Sequence, residues 1–72
     1  MDVIKNNEKL VAVRVSIDDC YAEVQPMPEH ETTHGMFRIW KDGTSYGTLS
    51  FDAEQAREMS EMFSVIADWL MD

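Results

Sequence analysis

His30, Glu31 and His34 form the pattern H-E-x-x-H. Histidines four apart on a helix point the same way and can grip one zinc ion, while the glutamate activates the metal's water. That chemistry needs a helix to carry it, a third ligand and a substrate cleft. The flanks Pro26, Pro28 and Gly35 leave no long helix. Pro28 suits a first helical position, Glu29 and Glu31 its positive end and Gly35 its stop, so the expectation is one short helical turn or an ordered loop. Thr32 and Thr33 weigh against the helix. Glu29 is near in sequence, but no third ligand is identifiable. The segment is therefore read as a polar loop whose two histidines can make its charge pH-dependent, with no metal or cofactor assigned.

Other chemistry is sparse. Cys20 stands alone, so no internal disulfide is available, and its place between strand-like segments reads as a small packed residue. Gly35, Gly43 and Gly47 are scattered and make no phosphate loop. No nucleophile has an identifiable base. A chain of 72 residues has little room for both a core and a buried cleft. No catalytic residue is assigned, and the expectation is a binding protein rather than an enzyme.

Charge is the more informative signal. Fourteen acids against six bases give a formal net charge of −8, which disfavours ordinary binding to phosphate backbones. The acids are also unevenly placed. Asp18, Asp19, Glu23, Glu29 and Glu31 fall in one stretch without a base, and the segment from Asp52 to Asp72 holds six acids and only Arg57. Within that segment Glu54, Glu58, Glu61 and Asp68 recur at multiples of three and four. On a helix such neighbours lie about 5–6 Å apart and make a row of negative points along one rod. One reading is a merely solvated face; the other is a surface shaped for a basic partner.

The elements that would position these residues follow from periodicity. Asp52 suits an N-cap, and Gln55 completes a capping box with Phe51 placed to staple onto Ala56. Ala56, Met59, Phe63, Ile66 and Leu70, widened by Met62, Val65 and Trp69, make an apolar stripe, so 52–72 is predicted to be one amphipathic helix. Upstream, Lys9 to Ile17 alternates as a strand, Asp18-Asp19 turns the chain, and Cys20 to Gln25 pairs back, ending at Pro26. Met36 to Lys41 and Thr44 to Phe51 form a hairpin about Asp42-Gly43, a strong two-residue turn signal. That turn sets Lys41 against Thr44, Ile39 against Tyr46 and Phe37 against Thr48. Phe37, Ile39 and Tyr46 then share one face, with Met36, Trp40, Leu49 and Phe51 on the other. Residues 1–8 read as a loose lead-in, with Val3 and Ile4 a weak signal for pairing at an edge.

The expectation is one α+β domain over 1–72, with a four-stranded antiparallel sheet of two consecutive hairpins over 9–51, packed against one C-terminal helix. A single helix covers one face of such a sheet. Since both faces of the second hairpin carry large apolar groups, some surface is expected to meet a second copy, a partner or water. Trp40 and Trp69 are candidate interface anchors or core residues. The N-terminus is polar, without a signal-peptide pattern, and no stretch approaches a membrane span, so the cytoplasm is the expected location.

Three resemblances bear on function. His30-Glu31-Thr32-Thr33-His34 resembles the zinc-metalloprotease motif in those five residues only. In size, its Met1 start, the missing targeting segment and the carboxylate rows from Asp18 to Glu31 and Glu54 to Asp72, the chain is similar to the small acidic inhibitors of phages, the anti-CRISPR and anti-restriction proteins. That resemblance implies an inhibitor that blocks a nucleic-acid site on a basic target in the host cytoplasm, often by mimicry. Its contact residues would be Glu54, Glu58, Glu61 and Asp68, then Asp18, Asp19, Glu29 and Glu31. Strands leading into Leu49-Ser50-Phe51-Asp52-Ala53-Glu54-Gln55 and a long helix also resemble the transcriptional coactivator PC4 and its relatives. That resemblance implies a dimer binding single-stranded nucleic acid on its sheet, with Arg14, Arg38, Lys41, Tyr21, Phe37 and Tyr46 as candidates.

Overall fold

A computed structural model describes residues 1–71. The fold is α+β: an antiparallel meander in the order β1-β2-β3-β4-β5 followed by one helix. The strands are β1 (Asp2–Asn6), β2 (Lys9–Ile17), β3 (Cys20–Pro26), β4 (His34–Lys41) and β5 (Thr44–Asp52), and α1 spans Ala53–Met71. The sheet therefore has five strands, not four. The supposed lead-in supplies the extra one, with Val3 against Val13 and Ile4 against Ala12. Its signal at Val3 and Ile4 is weak because the strand is five residues long, joins β2 through an irregular register and turns on Asn7-Glu8. Both turn residues are left-handed (φ 51° and 66°), as a tight hairpin requires.

The hairpins at Asp18-Asp19 and Asp42-Gly43 form as their residue types suggest. Asp18, Asp42 and Gly43 all take positive φ. The β4–β5 register starts as expected, with Lys41 against Thr44 and Ile39 against Tyr46. It then slips: Phe37 faces Leu49 rather than Thr48. Gly47 adopts φ 70° and adds a residue to β5, the signature of a glycine bulge. A one-residue slip exchanges faces. Leu49 and Phe51 consequently join Phe37 and Ile39, leaving Met36 and Trp40 on the opposite side.

The slip makes the middle of one face apolar. Val3, Val13, Val24, Phe37 and Leu49 form a row across all five strands, and Val15, Ala22, Ile39 and Tyr46 form the next. The other face carries an alternating charge row, Asp2, Arg14, Glu23 and Arg38, beside a row of Ser16, Tyr21, Trp40 and Ser45.

The capping box closes as the sequence implies. Gln55 donates its backbone N–H to Asp52 Oδ1 at 2.8 Å, and Asp52 donates its own to Gln55 Oε1 at 2.9 Å. The helix does not, however, lie flat over the sheet. It follows Asp52 without an intervening residue, so no loop lets the chain fold fully back. Ala56 and Met59 turn partly inward, whereas every residue from 61 to 71 is exposed. Ala12, Met36 and Phe51 are the buried hydrophobic side chains among the described residues. The expected cover of the sheet by the apolar stripe is thus reached only near the helix start. Asp72, expected to end the helix, lies outside the described residues.

Candidate functional site

Glu54, Glu58, Glu61 and Asp68 are all exposed on α1. Their positions, four, three and seven residues apart, keep them within one side of the helix, and Met59, Phe63, Ile66 and Leu70 occupy the other. Glu54 sits in the first turn, where the unpaired backbone N–H groups favour a negative charge. Ion pairs among the described residues join Lys9 to Glu31 (2.8 Å), Arg14 to Glu23, and Lys41 to Asp19 (3.5 Å). None of the four helix carboxylates takes part in one.

The remaining candidates divide between the two ends of the sheet. Asp18 and Asp19 form the β2–β3 turn, where Asp19 pairs with Lys41 and accepts a hydrogen bond from Cys20 Sγ at 3.5 Å. Cys20 is half-buried. Burial, then the hydrogen bond and charge of Asp19, push its thiol above its ordinary pKa, the reverse of what a nucleophile needs. Glu29 and Glu31 lie in the β3–β4 loop at the opposite end. Glu29 is left-handed (φ 71°), and Glu31, tied to Lys9, lines a hollow with Phe51, Asp52, Ala53 and Ala56 beside the helix start. The structure therefore assembles the four helix acids into one stripe, brings Glu31 near its head, and keeps Asp18 and Asp19 apart.

The H-E-x-x-H segment is not helical. His30 lies in a turn closed by Thr33 N and His34 N, both donating to the His30 carbonyl, while His34 opens β4. The two rings meet edge-on with centroids 6.1 Å apart, and His34 Nδ1 lies 2.9 Å from Thr33 Oγ1. Among the described residues no group of three or more His, Cys, Asp or Glu is placed to hold a metal.

No protein-family model matches the chain, and no curated protein or solved structure was found to match it. No helix among the described residues is long and apolar enough to cross a membrane.

Two further surfaces were not legible as sites. The first is a groove of about 520 Å³ between the apolar sheet face and α1, lined by Val13, Val24, Phe37, Phe51, Met59 and Phe63 among others. The alternating valines signalled the face, but not that the helix would leave it open. The second lies on the opposite sheet face. Arg14 stands 5.1 Å over the Tyr21 ring, and Tyr21 stacks on Trp40 at 6.2 Å and 15°. Arg38 Nε and Trp40 Nε1 are buried there without a hydrogen-bond partner. Glu23, only 5% exposed, accepts from Arg14 Nε, and this bond chiefly raises the pKa of the guanidinium. Of the six residues suggested for a strand-binding sheet, Arg14, Tyr21 and Arg38 share this face. Lys41, Phe37 and Tyr46 belong to the other.

Proposed function

We propose that the chain is a small acidic inhibitor that binds a basic, nucleic-acid-handling protein complex and occupies its polyanion site. The observation that carries this reading is the stripe of Glu54, Glu58, Glu61 and Asp68, exposed, held on one helix and joined in no ion pair among the described residues, with Arg57 the single base on that side. An unpaired carboxylate row on a rigid rod offers a phosphate-binding surface a competing set of charges at fixed spacing. Such an encounter is steered by charge and weakens with salt. The small acidic phage inhibitors that the chain resembles commonly block a nucleic-acid site on their targets, and the proposed activity would belong to a host cytoplasm. No catalytic step is part of the proposal.

The test is affinity capture on the immobilised chain, comparing wild type with a triple variant carrying Glu54→Lys, Glu58→Lys and Glu61→Lys. These side chains are exposed, so the variant keeps the fold, which circular dichroism checks. The partner should be retained by wild type and lost from the variant. Equal retention by both would remove the helix from the interface.

A second reading has its own observation. The Arg14–Tyr21–Trp40 stack with two unsatisfied donors beside it is a platform on which bases of a single strand can lie, as in a PC4-like dimer. Against it, Asp2 and Glu23 alternate with Arg14 and Arg38 in one row, so the face has little net positive charge to draw phosphates. Fluorescence anisotropy with a labelled oligonucleotide separates the readings: tight, salt-sensitive binding lost on Trp40→Ala favours the platform, and no binding favours the inhibitor.

A further inference from the structure

We infer that the apolar groove is filled by a second copy of this chain, so that the working unit is a two-fold dimer joined through α1. The isolated chain is short of core. Three hydrophobic side chains are buried among the described residues, and none of its large side chains is fully enclosed. Meanwhile Phe63 is 56% exposed, Ile66 47% and Leu70 74% on the side of α1 away from the acidic stripe, and Trp69, 77% exposed, stands on the flank between the two. Ile39, Tyr46 and Leu49 stand equally open on the sheet face below. A large aromatic presents roughly 150–250 Å². Half-exposed side chains of this kind, taken together, leave on the order of 800 Å² per protomer, the area one partner contributes to a standard stable interface.

The chemistry selects the occupant. The wall of the groove is apolar throughout, so a charged partner drawn by the carboxylates has nothing to meet there. An apolar helix side fits, and the side of α1 that carries Phe63, Ile66 and Leu70 is such an insert with no cover of its own. A patch that supplies both knob and groove is self-complementary, as an isologous two-fold interface requires. In this arrangement the two helices run antiparallel past Ile66, and each Leu70 enters the groove beside the other copy's Phe63, with Trp69 closing its rim. Glu54, Glu58, Glu61 and Asp68 face outward, so dimerisation leaves the acidic stripe free and presents it twice.

The experiment is sedimentation equilibrium of the full chain, alone and across a micromolar concentration series. The expected result is a species of twice the 8.3 kDa chain mass that dissociates on dilution. The double variant Trp69→Glu, Leu70→Glu alters side chains that are exposed in the single chain. It should weaken association at least about a hundred-fold, as loss of a central anchor does. A second readout needs no interface variant: with Trp40→Phe as background, Trp69 emission should shift to the blue and resist acrylamide at high concentration, and redden on dilution. A folded wild-type monomer throughout the series, a larger assembly, or a Trp69 open to quencher at every concentration would each overturn the dimer. Unchanged association in the double variant would overturn the groove as its seat.

Discussion

Gly35 is the position at which one added methyl group should report on the whole packing scheme. It lies opposite Phe51 across β4 and β5, and the Phe51 ring is laid over its bare backbone. A Cβ at Gly35 would stand 2.7 Å from Phe51 Cζ and 2.8 Å from Cε2, with the Gln25 carbonyl oxygen at 3.4 Å. Carbon atoms settle at about 3.5–4.0 Å, so the ring has to retreat by roughly 1 Å. Phe51 is 8% exposed, and it walls both the sheet–helix groove and the hollow at the helix start. Displacing it loosens the helix start, where α1 meets the sheet. Overpacking of this kind costs about 1–3 kcal/mol. For a domain of this size that is a fall in Tm on the order of 5–20 °C. Thermal unfolding of Gly35→Ala followed by far-ultraviolet circular dichroism measures it. Phe51→Leu in the same chain should recover part of the loss, because a smaller side chain clears the new methyl. A melting temperature equal to wild type would show that the ring does not depend on the missing side chain, and the account of the helix–sheet junction would fail with it.

Other expectations follow from single contacts. Asp52→Ala removes the cap oxygen at 2.8 Å from Gln55 N and should destabilise the chain by about 1 kcal/mol, read as a lower urea midpoint; no change would mean the helix start is held by other means. Arg14→Met strands the carboxylate of Glu23 in a buried position and should lower the midpoint clearly, whereas adding Glu23→Leu should restore much of it; a double variant no better than the single would contradict the pairing. Burial and Asp19 raise the Cys20 thiol pKa above its ordinary 9.0, so iodoacetamide should modify it more slowly at pH 8 than it modifies an unstructured cysteine peptide, with Asp19→Asn faster. The folded state favours the protonated thiol. The stability this adds is whole below pH 9.0 and is lost as pH rises through the folded-state value, so a melting temperature flat across that alkaline range would count against it.

Much of the architecture could be read from residue types because the deciding interactions are local. Asp52 and Gln55 mark the helix start, Asp42-Gly43 marks a turn, and the alternating valines of β2 mark a strand with one apolar face. What escaped the pattern was decided across strands. β1 has only Val3 and Ile4 as apolar signal, and its existence rests on pairing with β2. Gly47 is one glycine among polar neighbours, and nothing local says that it will bulge and carry Leu49 and Phe51 to the other face. The acid stripe was legible because helix geometry alone aligns Glu54, Glu58, Glu61 and Asp68. That Asp19 and Glu31 are neutralised by Lys41 and Lys9, while the helix acids are not, depends on which segments the meander brings together. Likewise, periodicity defines the apolar side of α1 but not what covers it.

The central claim is that the helix carboxylates compete with a nucleic acid for one site. The most direct measurement is displacement: the captured basic partner is loaded with its fluorescent nucleic acid, and the chain is titrated in at several salt concentrations. The account predicts release of the nucleic acid by wild type, weakening as salt rises, and no release by the chain carrying Glu54→Lys, Glu58→Lys and Glu61→Lys. A ternary complex in which partner, nucleic acid and chain remain bound together would contradict it.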